Sequence, residues 1–141
     1  MKTIVVCTDE MFAAIYPTEP GTATADGYPG HYCAALDCWF RLHHHILTPS
    51  GERVRLSTVG HLMVDDDPRI IGFSEDSYFE TAVFDEFVSE NGYLEMETRP
   101  RLMLHTPTSV EAQALHNRLL TKILAGGDID TIGVDERERH D

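Results

Sequence analysis

Apolar side chains fill every even position from Tyr32 to Ile46 except His44 (Tyr32, Ala34, Leu36, Cys38, Phe40, Leu42, Ile46), the period of a strand with one buried face. The same residues also fit a helix, because Asp37, Arg41, His44 and His45 then share one polar arc. The next segment favours the strand. Ile46-Leu47-Thr48-Pro49-Ser50-Gly51-Glu52-Arg53-Val54 reads as a hairpin, with Gly51 at the position that needs positive φ. Pairing Thr48 with Glu52 sets Ile46 opposite Val54, His44 opposite Leu56 and Leu42 opposite Thr58. That single register gathers the apolar residues of both strands on one face, and a one-residue slip would scatter them.

Elsewhere the pattern is shorter in range. Ile4 to Cys7 reads as a buried strand, and Met11 to Tyr16 as either a strand or one helical turn, stopped in both cases by Pro17. Residues 17–30 collect Pro17, Pro20, Gly21, Gly27, Pro29 and Gly30, a loop composition. Gly60 to Val64 and Arg69 to Phe73 read as short strands. Ser74 to Asn91 reads as a helix, with Val83, Phe84, Phe87 and Val88 on one arc, interrupted by Glu80 and stopped at Asn91-Gly92. Leu94, Met96 and Thr98 alternate with Glu95 and Glu97 as a strand, and Leu102 to His105 forms another.

The clearest helix runs from Ser109 to Ala125. Thr108 and Glu111 form a capping box, and Ala112, Leu115, Leu119, Leu120, Ile123 and Leu124 form a broad apolar face ahead of Gly126-Gly127. His116 falls within that face, as a core histidine. The pattern predicts an α+β fold in which two helices, 74–91 and 109–125, pack on one face of a mostly antiparallel sheet. It predicts a single domain over residues 1–133 and a frayed acidic tail over 134–141.

The 141 residues and their 42% hydrophobic content suffice for a core without staples. Three cysteines (Cys7, Cys33, Cys38) leave one unpaired in any scheme and argue against a disulfide framework. No apolar run is long enough for a signal core or a membrane span, so the expected location is cytoplasmic. Charge alters the picture more. The formal charge is -13, and residues 65–141 hold eighteen acids against seven bases. Between Asp65 and Glu97 there are eleven acids and one base, Arg69. Such a field repels phosphate backbones and favours a basic partner.

The bases of the first half gather on the hairpin. Trp39, Arg41, His43 and His45 on one strand and Arg53 and Arg55 on the other share a face, a cationic surface with an aromatic in it that suits a nucleotide or phosphorylated metabolite. The competing reading packs that face on the chain's own acidic segment. His43 and His45 lie about 7 Å apart on a strand, near enough to share a Zn²⁺ for hydrolysis, but Arg55 opposite His45 opposes a dication and no third ligand follows. His105-Thr106-Pro107-Thr108 departs from a two-histidine phosphoesterase motif at Pro107, and no phosphate loop, serine elbow or His-Glu-x-x-His occurs.

The sequence therefore points away from catalysis and from any cofactor or resident metal. It favours a non-catalytic acidic binding protein that engages a basic, nucleic-acid-binding protein partner through Asp65, Asp66, Asp67, Glu75, Asp85, Glu86, Glu90, Glu95 and Glu97. Antitoxins, immunity proteins and phage antidefence inhibitors offer an analogy of size and charge alone. No direct nucleic-acid or membrane contact is expected through this surface. Acids and bases on separate regions also suit head-to-tail association into a homo-oligomer.

Overall fold

The computed structural model describes residues 3–7, 16–25, 41–64, 67–70, 79–90, 92 and 94–140. Strands β1 (Thr3–Cys7), β2 (Thr22–Ala25), β3 (Arg41–Leu47), β4 (Arg53–Val59), β5 (His61–Val64), β6 (Asp67–Ile70), β7 (Phe79–Val88), β8 (Leu94–Glu97) and β9 (Leu102–Thr106) precede helices α1 (Ser109–Leu124) and α2 (Ile129–His140). Seven strands form one sheet in the order β1-β8-β7-β4-β3-β2, with β9 also paired to β7, while β5 and β6 form a separate hairpin. Every pairing is antiparallel. The fold is α+β, with a mostly antiparallel sheet and two helices.

The hairpin adopts the register that the apolar pattern requires. Ile46 lies opposite Val54, His44 opposite Leu56 and Leu42 opposite Thr58. The Thr48 N–H donates to the Glu52 carbonyl at 2.8 Å, and Gly51 takes φ 95° in the turn. Ile46, Val54, Leu56, Val83, Leu102 and Leu104 project from one face of the sheet and pack against Leu115, Leu119 and Ile123 of α1. Thr108 caps that helix by accepting from the Glu111 N–H at 3.1 Å, satisfying one of its unpaired first-turn donors.

The opposite face of the sheet is buried too. Ala82, Leu94, Met96, His43, His45, Arg55, Ser57 and Glu86 project from it, and each lies below a tenth of its full exposure. This second layer explains why the helix expected over 74–91 is instead strand β7, over Phe79–Val88. A strand covered on both faces loses the apolar–polar alternation that would advertise it, and Thr81-Ala82-Val83-Phe84 imitates a helical arc. Residues 74–78 lie outside the described residues. Gly92, at φ 83°, serves in the turn from β7 to β8, its N–H donating to the Ser89 carbonyl at 2.9 Å, and not as a helix stop.

Strand β7 is long enough to serve three neighbours. Residues 80–85 pair with β4 on one side, while 79–83 pair with β9 and 86–88 with β8 on the other. The segment 98–101, which includes Pro100, interrupts what would otherwise be one strand running from β8 into β9. Pro100 has no N–H to give the ladder, and pairing resumes as the Arg101 N–H donates to the Val83 carbonyl at 2.7 Å.

The tail expected to fray from Val134 is instead the second half of α2. Ile129 and Ile132 are buried beside Leu102, and Glu136 is fully buried. Its carboxylate accepts from Arg118 Nε at 2.7 Å, Arg118 Nη2 at 2.8 Å and Lys122 Nζ at 3.2 Å. Acids and bases that look like a solvated tail in the sequence form the clamp between the two helices.

Candidate functional site

Strand β3 carries three consecutive histidines, and alternation sends them to opposite faces. His43 and His45 enter the layer opposite the helices. There the Arg55 guanidinium, 1% exposed, donates from Nη2 to His43 Nδ1. His45 donates from Nδ1 to both oxygens of Glu86, at 2.9 and 3.1 Å. His44 projects under α1. Its Nδ1 meets Nε2 of the fully buried His116 at 2.8 Å, and the rings lie 5.0 Å apart between centroids. His116 Nδ1 reaches Thr58 Oγ1 at 2.8 Å, and that hydroxyl lies 2.9 Å from Thr81 Oγ1. Burial, reinforced by His44 and then His43, pushes the His116 imidazole down to about 3. His44 is lowered by burial and then by His45.

The cationic face expected on the hairpin thus exists as an arrangement but not as an open surface. His43, His45 and Arg55 share a face, yet they are buried and engaged, and Glu86 of the acidic run lies among them. Arg53 is turned elsewhere, donating from Nη1 to the Pro17 carbonyl at 2.6 Å with its guanidinium 5.3 Å from the centre of the Tyr16 ring. Arg41 lies opposite Val59 in the β3–β4 register, and Trp39 falls outside the described residues. Among the described residues no group of three or more His, Cys, Asp or Glu is placed to hold a metal ion. No described helix is long and apolar enough to cross a membrane.

The acidic run divides in the same way. Asp65, Asp66 and Glu75 lie outside the described residues, and Asp67 opens β6 opposite Val64. Glu86, expected on a solvated helix flank, is instead buried against His45. Glu80 pairs with His105 at 3.6 Å, its carboxyl pushed up by burial against the pull of that imidazole. Asp85 accepts from Arg101 Nη1 at 3.2 Å, and Glu52 shares the same nitrogen at 3.4 Å. Near Glu52 a polar cavity of about 180 Å³ opens between the β3–β4 turn (Thr48, Ser50) and the α1–α2 turn (Gly126, Asp128).

Of the other described acids, Glu95 and Glu97 share a face. Strand alternation puts Asp85 and Phe87 of β7 on the same face as Glu95 and Glu97 of β8, and Phe87 pairs directly with Glu95. Phe87 keeps 37% of its surface exposed, and Glu90 is exposed in the turn that follows β7. One oxygen of Glu97, Oε2, is buried with no hydrogen-bond partner among the described residues. The sequence pattern places Phe87 on the apolar arc of a helix. Its exposure depends on the end of β7 running past helix-covered strands, which no local pattern signals. No protein-family model matches the chain, and searches of curated proteins and of solved structures returned no match.

Proposed function

We propose that this chain is a non-catalytic binding protein that engages a basic protein partner through the face formed by Phe87, Glu95 and Glu97. The observation that carries this reading is an exposed aromatic ring set among carboxylates, one of whose oxygens is buried and unpaired among the described residues. An unpaired buried acceptor is unfavourable until a donor reaches it, and an arginine supplies donor and charge together. Phe87 offers apolar area and a ring face on which a guanidinium can stack. The overall charge of -13 steers such a partner and repels nucleic acid, so the favoured partner is a nucleic-acid-binding protein whose basic surface is occluded on binding. That is the mode of an inhibitor, of the immunity or antidefence kind.

The test is capture from host lysate on the immobilised wild-type chain at low salt, with Phe87→Ala and the double variant Glu95→Lys/Glu97→Lys as controls. A basic protein retained by wild type, lost from both variants and eluted by salt supports the proposal. Recovery of no basic protein, or equal recovery on the variants, overturns it.

A further inference from the structure

Acids lie on both sides of Phe87, and one side carries a cation of its own. Strand β7 meets β8 through Phe87 and Glu95, and meets β4 through Asp85 and Val54. Glu52, two residues before Val54, therefore comes level with Phe87 on the β4 side. Asp85 and Glu52 both contact Arg101. We propose that Arg101 is a built-in competitor for the basic partner, closing the β4 side of the Phe87 face and confining a partner's arginine to the side of Glu95 and Glu97. The inference rests on the reading of that face as a partner surface.

The position of Arg101 is set by the backbone. Its N–H donates to the Val83 carbonyl at 2.7 Å, which fixes it against β7 two residues from Asp85. From there Nη1 reaches Asp85 Oδ1 at 3.2 Å and Glu52 Oε2 at 3.4 Å. One nitrogen serves two carboxylates, and both contacts are longer than the about 2.7 to 2.9 Å of a strong charge-assisted pair. The Asp85 and Glu52 side chains keep 49% and 58% of their surface exposed, and Arg101 keeps 25%. Such contacts add little to stability.

Their effect on recognition is larger. Without the guanidinium, Asp85 and Glu52 would join Glu95 and Glu97 around one exposed ring. With it, a cation stands where a second arginine from a partner would have to sit, and like charges set against each other across an interface are unfavourable. The open acceptor, Glu97 Oε2, which has no donor among the described residues, belongs to the other side of Phe87.

The test is fluorescence anisotropy with a labelled oligo-arginine peptide at physiological salt, where exposed charges more than about 8 Å apart are largely screened. Arg101→Gln should bind the peptide about three- to fivefold more tightly than Arg137→Gln, which removes the same charge from an exposed position on α2. With Glu52→Gln and Asp85→Asn also present, the two should bind alike. A second comparison leaves Arg101 in place. Asp85→Asn and Glu95→Gln each remove one negative charge, and Asp85→Asn should weaken binding less. Equal binding by Arg101→Gln and Arg137→Gln, or a larger loss from Asp85→Asn than from Glu95→Gln, overturns the proposal. Either result leaves the partner surface standing while Phe87→Ala and Glu95→Lys/Glu97→Lys still bind more weakly than wild type. If those two variants bind as wild type does, the surface itself is refuted and the proposal with it.

Discussion

Replacing Arg118 by methionine tests how α2 is held. The Glu136 side chain has no exposed surface, whereas Arg118 and Lys122 keep 24% and 38% of theirs. Removing the arginine takes away the two shortest contacts of a buried carboxylate and leaves the 3.2 Å contact to Lys122 in place. Breaking a buried pair from one side destabilises by about 3 to 5 kcal/mol, and the surviving lysine places this case near about 3 kcal/mol. Removing the carboxylate instead, in Glu136→Met, leaves two cations that can turn to water, and the expected loss is about 1 to 2 kcal/mol. The double variant should lose much less than the sum, with a coupling of about 2 kcal/mol by urea unfolding at pH 7. A coupling below about 0.5 kcal/mol would refute the reasoning.

Acid provides a second arm to the same test. The Arg118 hydrogen bonds lead in holding the Glu136 carboxyl down to about 2 from its ordinary 4.5, against the opposing effect of burial. The folded value is the lower one, so the stabilisation is fully present above pH 4.5 and is lost as pH falls towards 2. At about 1.4 kcal/mol per pKa unit the shift corresponds to about 3 kcal/mol, and solvent around the partly exposed cations reduces this to about 2 kcal/mol. Glu136→Met should therefore decline less steeply than wild type between pH 4.5 and pH 3. Equal declines would show that Glu136 is not the group being protonated.

Other substitutions probe single contacts. Thr108→Ala removes the acceptor for the Glu111 N–H and should destabilise by about 1 kcal/mol in urea unfolding. Gly133→Ala gains about 1 kcal/mol of helix propensity, but its Cβ would lie 2.8 Å from Leu102 Cδ1. Crowding of that degree in a packed core outweighs the gain, so Tm should fall, and Leu102→Val in the same chain should restore part of it. Arg101→Ala breaks two contacts to carboxylates that are 49% and 58% exposed, and its effect should stay within about 0.5 kcal/mol at physiological salt.

What the sequence revealed depended on whether an element had one buried face or two. The β3–β4 register was legible because Ile46, Val54 and Leu56 must face α1 together and Gly51 fixes the turn. Helix α1 was legible because its cap, its apolar face and its stop agree, and His116 was legible as a core residue. Strand β7 was not, because Ala82 and Val83 are buried on opposite faces and leave a run with no period of two. Helix α2 was hidden for a different reason. Its buried side at Glu136 is charged, so its core contact looks like surface until Arg118 and Lys122, one turn apart on α1, are brought beside it.

The same physics decides which charges remain for function. A sequence counts every acid between Asp65 and Glu97 alike, but a carboxylate that has found a partner within the fold no longer attracts one outside it. Glu86 is committed to His45 and Asp85 is shared with Arg101, whereas Glu95 and Glu97 flank an exposed ring and include a buried oxygen with no donor among the described residues. The bases divide in parallel, since Arg55 and His43 are enclosed in the layer opposite the helices. Among the described residues, pairing inside the fold thus encloses His43, His45 and Arg55 of the hairpin and leaves the acids at the end of β7 and on β8 to a partner. A partner that reads this protein by charge should respond to substitutions at Glu95 and Glu97, and substitutions at Arg55 should change stability instead.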